Sequence, residues 1–91
     1  LRLDLFLKLS RIVPRRSVAK ALCDDGRVSV NGHIARGSRE TASGDLIEIT
    51  RNNRRSVYRI ERIPEVKQVS RADARELVSL ESEEVIDELI P

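Results

Sequence analysis

The sequence predicts an α+β domain in which two N-terminal helices pack on a small antiparallel sheet and an acidic helix follows at the C-terminal end. Three observations carry this reading. Apolar residues recur at helical spacing on both sides of Pro14, β-branched runs separated by turn residues fill positions 27 to 63, and Ala74, Leu77, Val78, Val85, Ile86 and Leu89 return to helical spacing.

At 100° per residue, Leu3, Leu5, Phe6, Leu7, Leu9 and Ile12 cover one broad side of a helix, with Asp4, Lys8 and Arg11 on the other. Pro14 lacks an amide donor and pushes Val13 away from helical angles, so the first helix is expected to end near Ile12. A second helix is expected from about Arg15 to Asp25, with Val18, Ala19, Ala21 and Leu22 inward, Arg16, Lys20 and Asp24 outward, and Gly26 as its left-handed cap.

Val28 and Val30 alternate with polar residues ahead of Asn31-Gly32, a pair suited to a type I′ turn, and so predict a short strand entering a hairpin. Residues 37 to 44 read as irregular, and Gly44-Asp45 as a turn. Leu46 to Thr50 form a second strand, Asn52 and Asn53 punctuate, and Ser56 to Ile63 form a third before Pro64. Ser70 is placed to cap the final helix, with Asp73 three residues later and Leu80 to Glu84 as its weak point. The organisation expected is one domain over residues 1–63 and an acidic helical tail over 64–91.

Composition narrows the chemistry. Cys23 is the only cysteine and His33 the only histidine among 91 residues, so neither a disulfide nor a zinc site of the usual ligands is expected, and no cofactor. Asp4 and Lys8 interrupt the first apolar run, which argues against a signal peptide, and no run suits a membrane helix; the expected location is the cytoplasm. No nucleophile–base motif, P-loop or metal spacing marks an enzyme. Asp4 is expected to fix Lys8 or Arg11 or to cap its helix, Cys23 to be a small buried hydrophobe, and His33 to be an exposed loop residue.

Charge is the informative property. Residues 1–62 carry 14 Lys/Arg against 7 Asp/Glu, whereas residues 63–91 carry 3 against 8. A basic body of this kind attracts polyanions by steering and counterion release, and the acidic tail must either face away from that ligand or compete with it. With only Phe6 and Tyr58 as aromatics, stacking on splayed bases is a poor fit, and recognition of phosphates and shape a better one. The candidate contacts are Arg2, Lys8, Arg11, Arg15, Arg16, Lys20 and Arg27, which lie on or beside the helix pair. Arg16 and Lys20 stand four apart, a like-charge pair that a bound anion would relieve.

These residues also carry a resemblance. Arg2-Leu3-Asp4, Phe6-Leu7, Arg11, Arg15-Arg16-Ser17 and Ala19, then the run from Gly26 through Asn31-Gly32, and finally Gly44-Asp45, resemble the RNA-binding domain named after ribosomal protein S-four over roughly residues 1 to 50. The resemblance implies the αL motif, two helices packed on a small sheet with RNA lying across the helices and the adjoining loop. Within that group the chain is most similar to the RqcP-like ribosome quality control family, related to the fifteen-kilodalton heat-shock protein. That likeness implies a protein that binds ribosomal RNA of the large subunit and peptidyl-tRNA in rescue of stalled ribosomes, alongside an RqcH-like tailing factor; a monomer is expected. Arg2 and Arg16 correspond to the family's RNA-contacting arginines. The competing reading is a generic RNA-targeting or protein-interaction adaptor for a separate RNA-modifying enzyme, docking through the acidic helix at residues 70 to 89.

Overall fold

The first helix, α1 (Leu3–Leu9), is too short to persist alone and is held by what it buries: Leu3, Phe6 and Leu7 at positions i, i+3 and i+4, followed by Leu9. Its first amides have no side-chain cap; those of Leu3 and Asp4 donate instead to the carbonyls of Arg39 (2.8 Å) and Gly37 (3.1 Å), so a distant loop closes the helix start. The computed structural model describes residues 1–65 and 68–86. At the other end the chain leaves the helix earlier than the apolar periodicity suggests. Arg11 adopts φ 64°, its amide reaches back to the Lys8 carbonyl, and Val13, buried, donates to the Leu7 carbonyl. This is a left-handed exit in which an arginine fills the place glycine usually takes.

Helix α2 (Arg16–Asp24) starts after an extended Arg15 and ends in a Schellman motif, with Gly26 at φ 74° and the amides of Gly26 and Arg27 donating to the carbonyls of Cys23 and Leu22. Its inner face is Ala19 and Cys23 with Leu22 half-buried, whereas Val18 and Ala21, expected inside, are exposed. The inward stripe is thus rotated toward Cys23.

Strands β1 (Val28–Val30) and β2 (His33–Ile34) form a hairpin whose turn, Asn31-Gly32, has both φ angles positive. The next strand, β3 (Leu46–Arg51), pairs antiparallel with β1, setting Val28 against Ile49 and Val30 against Ile47, all four buried. Asn52 and Asn53, at φ 52° and 60°, make a second two-residue turn into β4 (Arg54–Ile60), which begins two residues before the predicted strand and ends at Ile60 rather than Ile63. Side-chain alternation places Ile47, Ile49 and Ile60 with Leu3, Phe6, Leu7, Val13, Ala19 and Cys23 in one core.

The tail is where the expected helix fails. Ser70 does cap a helix, its Oγ accepting from the Asp73 amide at 3.1 Å, but that helix, α3 (Arg71–Ala74), is a single turn. From Val78 to Val85 the chain is instead a strand, β5, antiparallel to β4 and completing a five-stranded sheet of order β2-β1-β3-β4-β5. Two forces override the helical spacing. Without β5 the edge of β4 would present unpaired backbone groups, and the acids at 81, 83 and 84 meet arginines of β4 only in the extended form. Leu77 remains a core residue, and the amide of Glu61 donates to its carbonyl at 2.7 Å. Leu89, the end of the expected stripe, lies outside the described residues. Among the described residues no helix is long and apolar enough to cross a membrane.

Because Leu77 is buried in the common core, Leu77→Ala should lower the stability of the whole domain by about 2–5 kcal/mol, read from the urea midpoint of a single cooperative transition. A loss confined to the tail, with the domain's midpoint unchanged, would contradict this packing.

Candidate nucleic-acid interface

The candidate interface is organised by Asp4. Amphipathic spacing puts this residue on the polar side of α1, yet it is 1% exposed. It is charge-paired with arginines from two separate segments. Arg2 donates from Nε to Oδ1 (3.3 Å) and from Nη2 to Oδ2 (3.0 Å), and Arg16, twelve residues later in α2, donates from Nη2 to Oδ1 at 3.3 Å. The expected partners, Lys8 and Arg11, are not the ones that meet it.

One buried carboxylate therefore sets two guanidiniums side by side, each 46% exposed at its side chain. Each guanidinium has five N–H donors, and Asp4 takes two from Arg2 and one from Arg16, leaving most of the donors for an external acceptor. The carboxylate also lies against Gly37. A Cβ at that position would come within 3.1 Å of Asp4 Oδ2, so a side chain there would press on the carboxylate that the two arginines share.

The seven predicted contacts do not form one cluster. Arg2, Arg16 and Lys20 come together. Arg2 and Lys20 line a groove of about 440 Å³ between α2 and the loop after β2, which also takes in Arg36 and Ile34. Lys8 and Arg11 line a separate hollow with Pro14, Gln68 and Val69, and Arg11 Nη2 donates to the Val69 carbonyl at 3.4 Å. Arg15 is exposed at the start of α2. Arg27 follows the end of α2, beside the β3–β4 turn. Arg36 and Gly37 escaped the sequence reading because their segment shows no periodicity; the only sign was the run Arg36-Gly37-Ser38-Arg39, glycine flanked by cations.

The acidic tail does not face away from the basic body. It cancels part of it. Glu83 meets Arg54 (3.4 Å), Glu84 meets Arg55 (2.6 Å), Glu81 meets Arg59 (2.7 Å), and Glu76 meets Arg62 (3.2 Å). Exposed pairs of this kind add little to stability, but they remove the β4 arginines from the field that a polyanion meets. Much of the positive charge left without an ion pair therefore lies on the helix pair and its adjoining loops.

Cys23 lies under this surface and is buried, with its thiol pushed from 9.0 up to about 11, chiefly by burial and then by the charges of Asp4 and Asp24. It is protonated and inert at neutral pH. His33 is exposed on β2.

Two outcomes follow. Asp4→Asn keeps the side-chain volume but removes the charge shared by Arg2 and Arg16, and should cost about 1–3 kcal/mol in urea denaturation. For Cys23, the unfolded thiol loses its proton near 9 while the folded one holds it to about 11, so folding stability should fall as pH rises through that window. Cys23→Ala, compared with the parent at each pH by urea midpoint, should lack that part of the fall.

Known proteins resemble this chain in both sequence and fold. The family model of the S4 domain matches residues 1–47. A protein of Halalkalibacterium halodurans named RQC P-site tRNA stabilizing factor is 35% identical over 94% of this chain and 96% of its own length. One of the same name from Listeria innocua is 36% identical over 97% of this chain and 94% of its own. Among solved structures, the trimeric Heat Shock Protein 15 of Vibrio cholerae superposes with a TM-score of 0.79 at 26% identity, covering 88% of this chain and 80% of that one. With the helix pair, the sheet behind it and near full-length relatives all in agreement, the chain belongs to the S4 domain family, in the group of the RQC P-site tRNA stabilizing factors.

Proposed function

We propose that the chain is a non-enzymatic RNA-binding protein that holds peptidyl-tRNA at the P site of the large ribosomal subunit during quality control of stalled ribosomes. The observation that carries this reading is the Arg2–Asp4–Arg16 cluster, two half-exposed guanidiniums fixed by one buried carboxylate on the face where positive charge is left uncompensated. The names of the relatives supply the tRNA and the P site.

On this reading, Arg2 and Arg16 donate to two or more phosphate oxygens in a fixed spacing, and their rigidity selects an RNA backbone of matching shape. Lys20 and Arg36 add charge along the same groove, while Lys8, Arg11, Arg15 and Arg27 extend the contact to either side. Ribosomal RNA of the large subunit and tRNA meet the same kind of surface, because phosphate contacts position RNA without reading its bases. The sheet keeps the helix pair rigid. An RqcH-like tailing factor is the protein partner this role calls for.

The direct test is co-sedimentation with purified large subunits, vacant or carrying peptidyl-tRNA. The chain should pellet preferentially with the loaded subunits, and equal recovery from both would reject the tRNA-holding role. Arg16→Ala should weaken binding about tenfold or more, whereas Arg59→Ala, whose guanidinium is occupied by Glu81, should change it little. Equal effects would mean that only diffuse charge acts.

A further inference from the structure

Arginines of this chain fall into two groups, those answered by a carboxylate and those that are not. Along β4 and beyond, Arg54, Arg55, Arg59 and Arg62 each meet a glutamate. Arg51, at the end of β3, makes no ion pair among the described residues. In the β3–β4 register it stands directly across from Arg54, a placement that like charges disfavour. Glu83 pairs with Arg54 and borders the same hollow as Arg51, but makes no ion pair with Arg51.

Arg51 also shares a groove of about 340 Å³ with Leu22, Arg27, Thr50, Asn52 and Asn53. The lining includes two arginines and two exposed asparagines, and no acidic residue. The backbone on both sides is well tied: the Thr50 amide donates to the Arg27 carbonyl at 3.0 Å, and the positive φ angles of Asn52 and Asn53 close the hairpin tightly. The two cations are therefore brought together from segments far apart in sequence. Within this groove no carboxylate answers them, which suits an anion from outside.

We propose that Arg27 and Arg51, with the Asn52-Asn53 turn, form a second contact for the phosphate backbone of RNA, separate from the Arg2–Asp4–Arg16 cluster. This rests on the RNA-binding reading above. Arg16 opens α2 and Arg27 follows its end, so at 1.5 Å per residue the two contacts stand roughly 15 Å apart along the helix. No single phosphate spans that distance, and the bound strand must run along α2 to meet both.

The experiment measures affinity of the full chain for a labelled RNA hairpin, and for purified large subunits, as a function of salt. Arg51→Gln should weaken binding about threefold and lower the salt slope by about 0.7–0.9, the share of one lost phosphate contact, while Arg51→Lys keeps the parent slope. Because the contacts are distant, Arg51→Gln and Arg16→Ala should be additive in log affinity, unlike Arg2→Ala and Arg16→Ala, which share Asp4. Circular dichroism melts confirm that each variant folds. If Arg51→Gln leaves affinity and slope unchanged while Arg16→Ala weakens binding, the second contact is overturned and the RNA-binding reading stands; so too if the Arg16 and Arg51 effects fail to add. If Arg16→Ala also has no effect, the RNA-binding reading itself falls.

Discussion

A carboxylate withdrawn from water must be answered by charge or hydrogen bonds, and in this chain that requirement ties the fold to the candidate binding surface. Asp4 is answered by Arg2 and Arg16, and both arginines stay half-exposed while doing so. The same carboxylate sits beneath Gly37, whose carbonyl accepts the Asp4 amide, so the loop after β2, the start of α1 and the start of α2 converge on one residue. Disturbing any of the three moves the guanidiniums. Replacing the carboxylate by an apolar group would leave two like charges adjacent with nothing between them.

The distribution of strain and charge elsewhere is consistent with this arrangement. Arg11 takes a left-handed backbone conformation that costs a non-glycine residue about 1–2 kcal/mol, at a position where glycine would end the helix without that cost. An arginine kept there places a cation at the exit of α1, next to Lys8. At the edge of the sheet β5 does the reverse, bringing glutamates to the β4 arginines. One end of the chain concentrates positive charge and the other removes it, so a net charge of +2 conceals a surface with a defined basic side.

Much of this was legible in the residues. Helix α2 and its Gly26 cap, the Asn31-Gly32 hairpin, the β3 strand and the Ser70 cap follow from local rules, because each depends on a few adjacent side chains and backbone angles. Legibility failed where a distant partner decided. Residues 78 to 85 carry spacing compatible with a helix, and the open edge of β4 with its arginines made them a strand. Arg36 lies in a segment without periodicity and entered the groove only because the loop folds back onto α1 and α2.

The sequence alone therefore determined that the domain is α+β, that its positive charge is concentrated ahead of residue 63, and which residue types are available to meet phosphate. Those properties are sums over neighbours in the chain, and neighbours are what a sequence displays. Tertiary structure alone decided which cations lie together. Asp4 reaches Arg16 across twelve residues, Arg51 shares a groove with Arg27 across the β1–β2 hairpin and β3, and Glu81 pairs with Arg59, each through packing that brings remote backbone together.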